Sequence, residues 1–255
     1  MTKRRRLILE AFMLTPGLLA TQFIDADYRY WVILALGLVT YFFTAFCLRE
    51  DLKKISWLVN LPLPALYTIS MALFYFLLPE VWLSRILILI FYGLGMYAIL
   101  LIENIFTIAA VRTIPLVRAA QAVGCLMTLV TAFLFYDTIF SFKLNALING
   151  TLVLVVSFIL ILASLWSVSF DYYLEKKIIN YGLVLGLVMG QMSFFISFWP
   201  LTITAVSLFL VAALYILLGI TQNYFSGRLF ENTFREYLQV GIIVLIIIFF
   251  LARWG

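Results

Sequence analysis

The chain contains no histidine and only two cysteines. Without histidine it cannot form a His-ligated zinc or haem site, an H-E-x-x-H metalloprotease motif, or a Ser-His or Cys-His nucleophile pair. Cys47 and Cys125 lie in separate apolar runs without C-x-x-C spacing, which predicts neither a redox pair nor a metal site. The phosphate-binding pattern G-x-x-x-x-G-K-[ST] is also missing. We therefore expect no metal site, no cofactor and no catalytic constellation of these kinds.

Charge is scarce as well. Charged residues make up 11% of the chain and hydrophobic residues 65%, whereas a soluble domain has about 25% and about 45–50%. A soluble fold could not cover its surface with so few polar groups, so lipid must be the solvent for most side chains. This composition predicts a single integral membrane domain over residues 1–255. The net charge of +5 lies beside apolar runs, which indicates orientation in a bilayer rather than nucleic-acid binding.

The apolar runs predict an all-α, polytopic bundle of nine transmembrane helices. Crossing about 30 Å of hydrocarbon needs roughly 20 helical residues. Nine runs approach or reach this length: Leu7–Ile24, Trp31–Leu48, Trp57–Leu78, Trp82–Ile102, Leu116–Tyr136, Leu144–Val168, Ile178–Phe198, Leu201–Tyr224 and Tyr237–Trp254. Between Glu103 and Pro115 the chain must turn, because one helix through both neighbouring runs would be far longer than a bilayer is thick.

The basic residues predict the orientation of these spans. Of the 17 lysines and arginines, all except Arg29, Arg85, Lys143 and Arg253 fall on one side of the nine-span arrangement. Cytoplasmic connections carry the excess of Lys and Arg, so the amino terminus is expected inside and the carboxyl terminus outside. All six tryptophans fall at or near the ends of predicted spans, which is typical of the membrane interface.

Two pairs of segments indicate an internal repeat. Leu48–Ile55 resembles Tyr173–Ile178, and Glu103–Phe106 resembles Glu231–Phe234. Spans two to five and six to nine would then be tandem four-helix units, as in some transporter halves, with span one extra. The alternative is chance similarity in a biased composition.

Polar residues near the ends of spans four and five form the densest candidate site. The group consists of Glu103, Asn104, Arg112, Arg118 and Gln121. Ionisable groups buried near a membrane indicate a functional site, and here Glu103 would pair with one of the arginines. The alternative is a solvated loop with ordinary anchoring cations.

A second set of residues could line a cavity or pack helices together. Asn60, Pro62 and Pro64 open span three, where the prolines free backbone carbonyls or simply start the helix, and Gln191 lies in span seven. The stripe Gly182, Gly186 and Gly190 places three glycines on one face of span seven, which predicts close helix packing, with a dimer contact or a pore lining as alternatives.

Three further carboxylates are assigned ordinary roles. Glu10 lies four residues after Arg6 on the same helix face, so a surface ion pair is expected. Asp25 and Asp27 occupy a short outer connection, where helix capping is expected. A catalytic carboxylate acting on a lipid-linked substrate is the alternative for these two aspartates.

The runs Leu101–Ile114 and Arg118–Gly124 resemble uncharacterised multi-pass bacterial membrane proteins over about the middle half of the chain. The resemblance implies a bacterial cytoplasmic membrane and brings no activity or site residues.

No span is expected to carry a carboxylate near its midplane. The leading hypothesis is therefore a non-catalytic assembly component or lipid-facing scaffold, with a membrane protein or a second copy as partner. A transporter or channel for a small uncharged or anionic solute comes second, and an enzyme acting on lipid-linked substrates third.

Overall fold

A computed structural model describes residues 3–24, 26–49, 61–78, 81–109, 115–169 and 175–252. All regular structure in these residues is helical, as the apolar runs predict. Nine α-helices are present there: α1 Lys3–Ala20, α2 Ala26–Leu48, α3 Pro62–Tyr75, α4 Trp82–Ala109, α5 Val117–Ser141, α6 Ala146–Ser169, α7 Lys176–Ile196, α8 Ile203–Phe225 and α9 Glu231–Leu251. A short 3-10 turn, Thr21–Phe23, follows α1.

Seven of these helices, α2 and α4 to α9, are long and apolar enough to cross a membrane, as expected of a multi-pass membrane protein. The other two helices are less suited to cross a membrane. Helix α1 has 18 residues and contains a run of basic residues at its start, as well as Glu10 and Pro16. Helix α3 has 14 described residues and begins with Pro62 in its first turn, where a missing backbone N–H costs nothing.

Several helices extend past the predicted spans. Helix α4 continues to Ala109 instead of ending near Ile102, so Glu103 and Asn104 lie within a helix. Helix α9 begins at Glu231 rather than Tyr237. Hydropathy marks only the part of a helix that contacts hydrocarbon, whereas backbone hydrogen bonding continues into the polar interface.

The chain divides into two compact units, Met1–Thr131 and Ala132–Gly255, and the boundary falls within α5. In the first unit α1 packs on α4 and α2 packs on α3, while α1 also contacts α2 and α3 contacts α4. Large side chains fill its interior, among them Tyr67, Tyr92 and Met96, all fully buried. Helices α1 to α4 therefore surround this interior, and the first part of α5 packs against α4, where Gly124 faces Ile102 and Phe106.

The second unit is organised around α6 and α7, which make its most extensive helix contact. Helix α8 packs on both of them, and its Gln222 Nε2 donates to Ser164 Oγ on α6 at 2.7 Å. Helix α9 packs on α8 and has one buried residue, Ile248. The last helix therefore presents most of its apolar surface outward.

Candidate functional site

The residues of the predicted polar cluster at the end of α4 differ in how far they are buried. Glu103 is 2% exposed, and its Oε2 has no hydrogen-bond partner among the described residues. Asn104 is half-buried, and its Oδ1 also has no hydrogen-bond partner among the described residues. Arg118 is exposed, Gln121 is half-buried, and Arg112 lies outside the described residues. Glu103 is thus an interior residue of α4, while Arg118 is on the surface of α5.

The predicted cavity residues occupy unrelated positions. Pro62 and Pro64 form the first turn of α3, and the Pro64 carbonyl accepts a hydrogen bond from Thr68 Oγ1 at 3.0 Å. The prolines therefore mark a helix start whose carbonyl is satisfied. Gln191 is exposed on α7 rather than directed into the unit. Asn60 lies outside the described residues.

The glycine stripe of α7 faces α6. It consists of Gly182, Gly186 and Gly190. A Cβ atom at Gly190 would lie 2.9 Å from both the Gly150 carbonyl oxygen and the Leu154 Cβ. Since Gly150 is itself a glycine, the two backbones approach closely at this point. The stripe thus lies at a helix contact inside the second unit.

Glu10 is fully buried in the first unit, so the expected surface position beside Arg6 is wrong. Thr44 Oγ1 on α2 donates a hydrogen bond to Glu10 Oε1 at 2.5 Å, and the Cys47 side chain contacts the same carboxyl group. Glu10 Oε2 has no hydrogen-bond partner within the part of the chain that is described. Helix α2 covers this face of α1, and tertiary packing therefore buries a carboxyl group that the local spacing predicts at the surface.

Hydroxyl groups from three helices surround Glu10. The Tyr92 hydroxyl on α4 lies 3.0 Å from Thr68 Oγ1, also hydrogen bonds with Thr40, and interacts electrostatically with Glu10. We name this set the Glu10 cluster; its members are Glu10, Thr40, Thr44, Cys47, Thr68 and Tyr92. All six side chains are buried. Helices α1 to α4 thus bring a carboxyl group and five weakly polar groups together in an apolar unit.

Tyr67 closes one side of the Glu10 cluster. Its ring stacks on Tyr92 with centroids 5.7 Å apart, and its hydroxyl donates to the Phe91 carbonyl oxygen at 3.1 Å. A Cβ atom at Gly95 would collide with the Tyr67 hydroxyl, so glycine is required there. The aromatic pair and the glycine hold Tyr92 against the two threonines.

A third buried carboxyl group, Asp137, lies in the second unit. It is 9% exposed on α5, hydrogen bonds with Ser207 on α8, and has no partner for Oδ1 among the described residues. Asp137 directly follows the predicted span Leu116–Tyr136, so hydropathy places it outside the membrane helix, whereas α5 continues through Ser141. Three carboxyl groups are therefore buried in the helices that the structure describes.

This arrangement can bind a proton or a small polar group. Buried ionisable residues in membrane helices are costly and typically mark ion or proton pathways. The sequence contains no histidine. Among the described residues, no group of three or more Cys, Asp or Glu side chains could hold a metal ion. Asp25 and the side chain of Asp27, on which an enzyme acting on lipid-linked substrates would depend, lie outside those residues.

Comparison with known proteins places the chain in a family. No curated protein and no solved structure matches it. A family model described as "Protein of unknown function (DUF5656)" matches residues 10–251. This match is longer than the resemblance to uncharacterised multi-pass membrane proteins, which covers about the middle half of the chain. The match includes Glu10, Glu103 and Asp137. Because it covers nearly the whole chain, this protein belongs to the DUF5656 family.

Proposed function

We propose that the protein is a membrane carrier for a small polar solute, in which Glu10 binds and releases a proton. The observation that carries this proposal is a fully buried carboxyl group with one oxygen bound by Thr44 and the other without a hydrogen-bond partner among the described residues. Burying an unpaired charge costs several kcal/mol, so a stable bundle tolerates such a group chiefly where it binds something.

Proton and solute would compete for the same carboxyl oxygens. When the solute leaves, a proton neutralises Glu10, and the buried group then carries no charge. When the proton leaves, the carboxylate accepts hydrogen bonds from an N–H or O–H group of the solute, and the hydroxyls of Tyr92 and Thr40 supply further partners. A carboxylate attracts a cation and repels an anion. The proposal therefore favours an uncharged or cationic solute over the anionic one that the sequence alone admitted.

The positions of the buried carboxyl groups favour a carrier over the scaffold that the sequence alone predicts. The scaffold hypothesis depends on the expectation that no span carries a carboxylate near its midplane. Glu10, Glu103 and Asp137 are buried within helices, about one to two turns from the nearer helix end. Buried charge of this kind is what coupled carriers use.

The test combines proton binding with transport. Infrared spectroscopy of the purified protein during a pH titration should show a protonated carboxyl band that disappears in Glu10→Gln. Liposomes containing the protein and an enclosed pH dye are then exposed to a panel of amines, amino acids and sugars. We expect solute-dependent proton movement that is lost in Glu10→Gln and kept in Glu231→Gln, which removes an exposed carboxylate paired with Arg235. A Glu10 band that does not respond to pH contradicts the proposal.

The finer topology belongs to this proposal. Nine spans, an internal amino terminus, an external carboxyl terminus and a bacterial cytoplasmic membrane are supported by the distribution of Lys and Arg and by the resemblance of residues 101–124. The tandem four-helix repeat is supported by the paired segments Leu48–Ile55 and Tyr173–Ile178. Two similar halves would suit a carrier, since many are built from repeats.

A second candidate function, assembly through α9, is favoured by a different observation. Ile248 is the one buried residue of α9, while Ile242, Leu245 and Phe249 are about half exposed. A second copy of the chain packed on α9 would make this helix internal to a dimer. Native mass spectrometry in mild detergent should then give a dimer that becomes monomeric when Ile242 and Leu245 are both changed to Ala. A monomer in the unchanged protein contradicts this candidate.

A further inference from the structure

A groove opens between α1 and α4 on the surface of the first unit. Its volume is about 340 Å³, near the lower end of the range for ligand pockets, about 300–1,000 Å³. It is lined mainly by apolar side chains, including Ile8, Phe12 and Leu94. Two of its lining residues, Ala11 and Gly93, are small, and a Cβ atom at Gly93 would meet only Thr15 Oγ1, at 3.3 Å. An apolar groove of this shape on a membrane-facing surface fits a hydrocarbon chain.

One end of the groove is cationic. Tyr97 lines the groove, and Arg4 Nε donates a hydrogen bond to the Tyr97 hydroxyl at 3.4 Å. This bond places the exposed Arg4 guanidinium beside the groove, with Arg5 next to it on the first turn of α1. Guanidinium groups bind phosphate with two parallel hydrogen bonds, and the start of a helix adds a favourable partial positive charge.

We propose that this groove binds an anionic phospholipid, with one acyl chain between α1 and α4 and the phosphate at Arg4. The occupant is a lipid rather than a free phosphate because the groove itself is apolar and the cation lies only at its end. Charge complementarity selects the headgroup: basic residues at a membrane surface attract anionic lipids by about 1 kcal/mol each.

A second groove provides an internal comparison. It lies between α8 and α9, has a volume of about 460 Å³, and is lined by residues such as Phe209, Ala212 and Ile248. No Lys or Arg lines it. An acyl chain could enter this groove as well, but nothing there distinguishes an anionic headgroup from a neutral one. Preference for anionic lipid should therefore depend on the α1–α4 groove.

The test uses the purified full chain with equal amounts of phosphatidylglycerol and phosphatidylcholine, and native mass spectrometry counts the bound lipids. The unchanged protein should retain phosphatidylglycerol preferentially. Arg4→Gln should weaken this binding about fivefold to tenfold, as expected for the loss of one basic residue beside an anionic headgroup. Gly93→Leu, which fills the groove, should weaken it as well. Size-exclusion profiles and helix content establish that both variants fold.

Matched controls separate a site from general attraction. Arg228→Gln removes an equal charge at an exposed position that lines neither groove, and Ala212→Leu fills the α8–α9 groove. Both should keep the preference for phosphatidylglycerol. The proposal is overturned if Arg228→Gln weakens binding as much as Arg4→Gln, if the unchanged protein binds both lipids equally, or if Gly93→Leu has no effect.

Discussion

Thr44 Oγ1 on α2 lies 2.5 Å from Glu10 Oε1 on α1 and donates a hydrogen bond to it. Both side chains are fully buried. The bond therefore joins two helices inside the first unit, and it orients the carboxyl group that we propose as the proton-binding site.

Replacing Thr44 by Val should destabilise the protein by about 1–3 kcal/mol, because a buried carboxyl oxygen loses its hydrogen bond while the side-chain volume hardly changes. Unfolding in dodecyl sulfate, followed by circular dichroism, measures the effect. Thr44→Ser keeps the hydroxyl and should retain most of the stability. Equal stability of the Val variant and the unchanged protein would mean that Glu10 has another partner there.

Much of the helix arrangement could be predicted from the sequence, since length and hydropathy are properties of a single segment. Each of the nine apolar runs contains most of one helix. The buried face of each helix was harder to predict. The four-residue spacing between Arg6 and Glu10 predicts a surface ion pair, whereas α2 covers Glu10 and buries it. Thr40, Thr44 and Cys47 share one face of α2 at helical spacing, and this polar face was the available signal.

The position of Gln191 on α7 was also hard to predict, because the sequence does not show which face of the helix is buried. Its position in an apolar run suggested an inward-facing amide, yet it is exposed. Consecutive helical residues are rotated by about 100°. Because Gly190 faces α6, the next residue must point elsewhere. Consecutive residues of this helix can still both be buried, as Met189 and Gly190 are. The exposure of Gln191 therefore depends on how far α6 and α8 cover α7, which follows from tertiary packing and not from the sequence of one helix.

The glycines of α7 should differ in their tolerance of alanine. A Cβ at Gly190 would lie 2.9 Å from the Gly150 carbonyl, one at Gly186 would lie 3.2 Å from Phe158 Cβ, and one at Gly182 has only ordinary contacts from 3.4 Å. Backbone cannot move as easily as a side chain. Gly190→Ala should therefore destabilise most, by about 1–3 kcal/mol, Gly186→Ala less, and Gly182→Ala least.

The same detergent unfolding measurement ranks the three variants. Gly241→Ala on α9 is the control, because its Cβ would contact Ile216 at 3.5 Å, an ordinary distance. If Gly190→Ala is as stable as Gly182→Ala, the close contact of α6 and α7 described above is incorrect.

Gln222 and Ser164 should be energetically coupled. Gln222 Nε2 on α8 donates to both Oγ and the carbonyl oxygen of Ser164 on α6, at 2.7 and 3.3 Å. Hydrogen bonds between membrane helices contribute about 0.6 kcal/mol on average and at most about 1.7 kcal/mol. A double-mutant cycle with Gln222→Leu and Ser164→Ala should give a coupling energy in this range. A coupling energy near zero would show that the two residues act independently.

The proposed orientation predicts which connections share a side of the membrane. Lys54 and Lys177 should both be cytoplasmic, and Leu144 should lie on the opposite face, because the excess of basic residues marks the inside. Single cysteines at these three positions, in a chain with Cys47→Ser and Cys125→Ala, are treated with a membrane-impermeant maleimide in intact cells and in inverted vesicles. We expect Leu144→Cys to react in cells, and Lys54→Cys and Lys177→Cys to react only in inverted vesicles. Reaction of the two lysine positions from opposite sides would require an odd number of spans between them, which contradicts the nine-span arrangement.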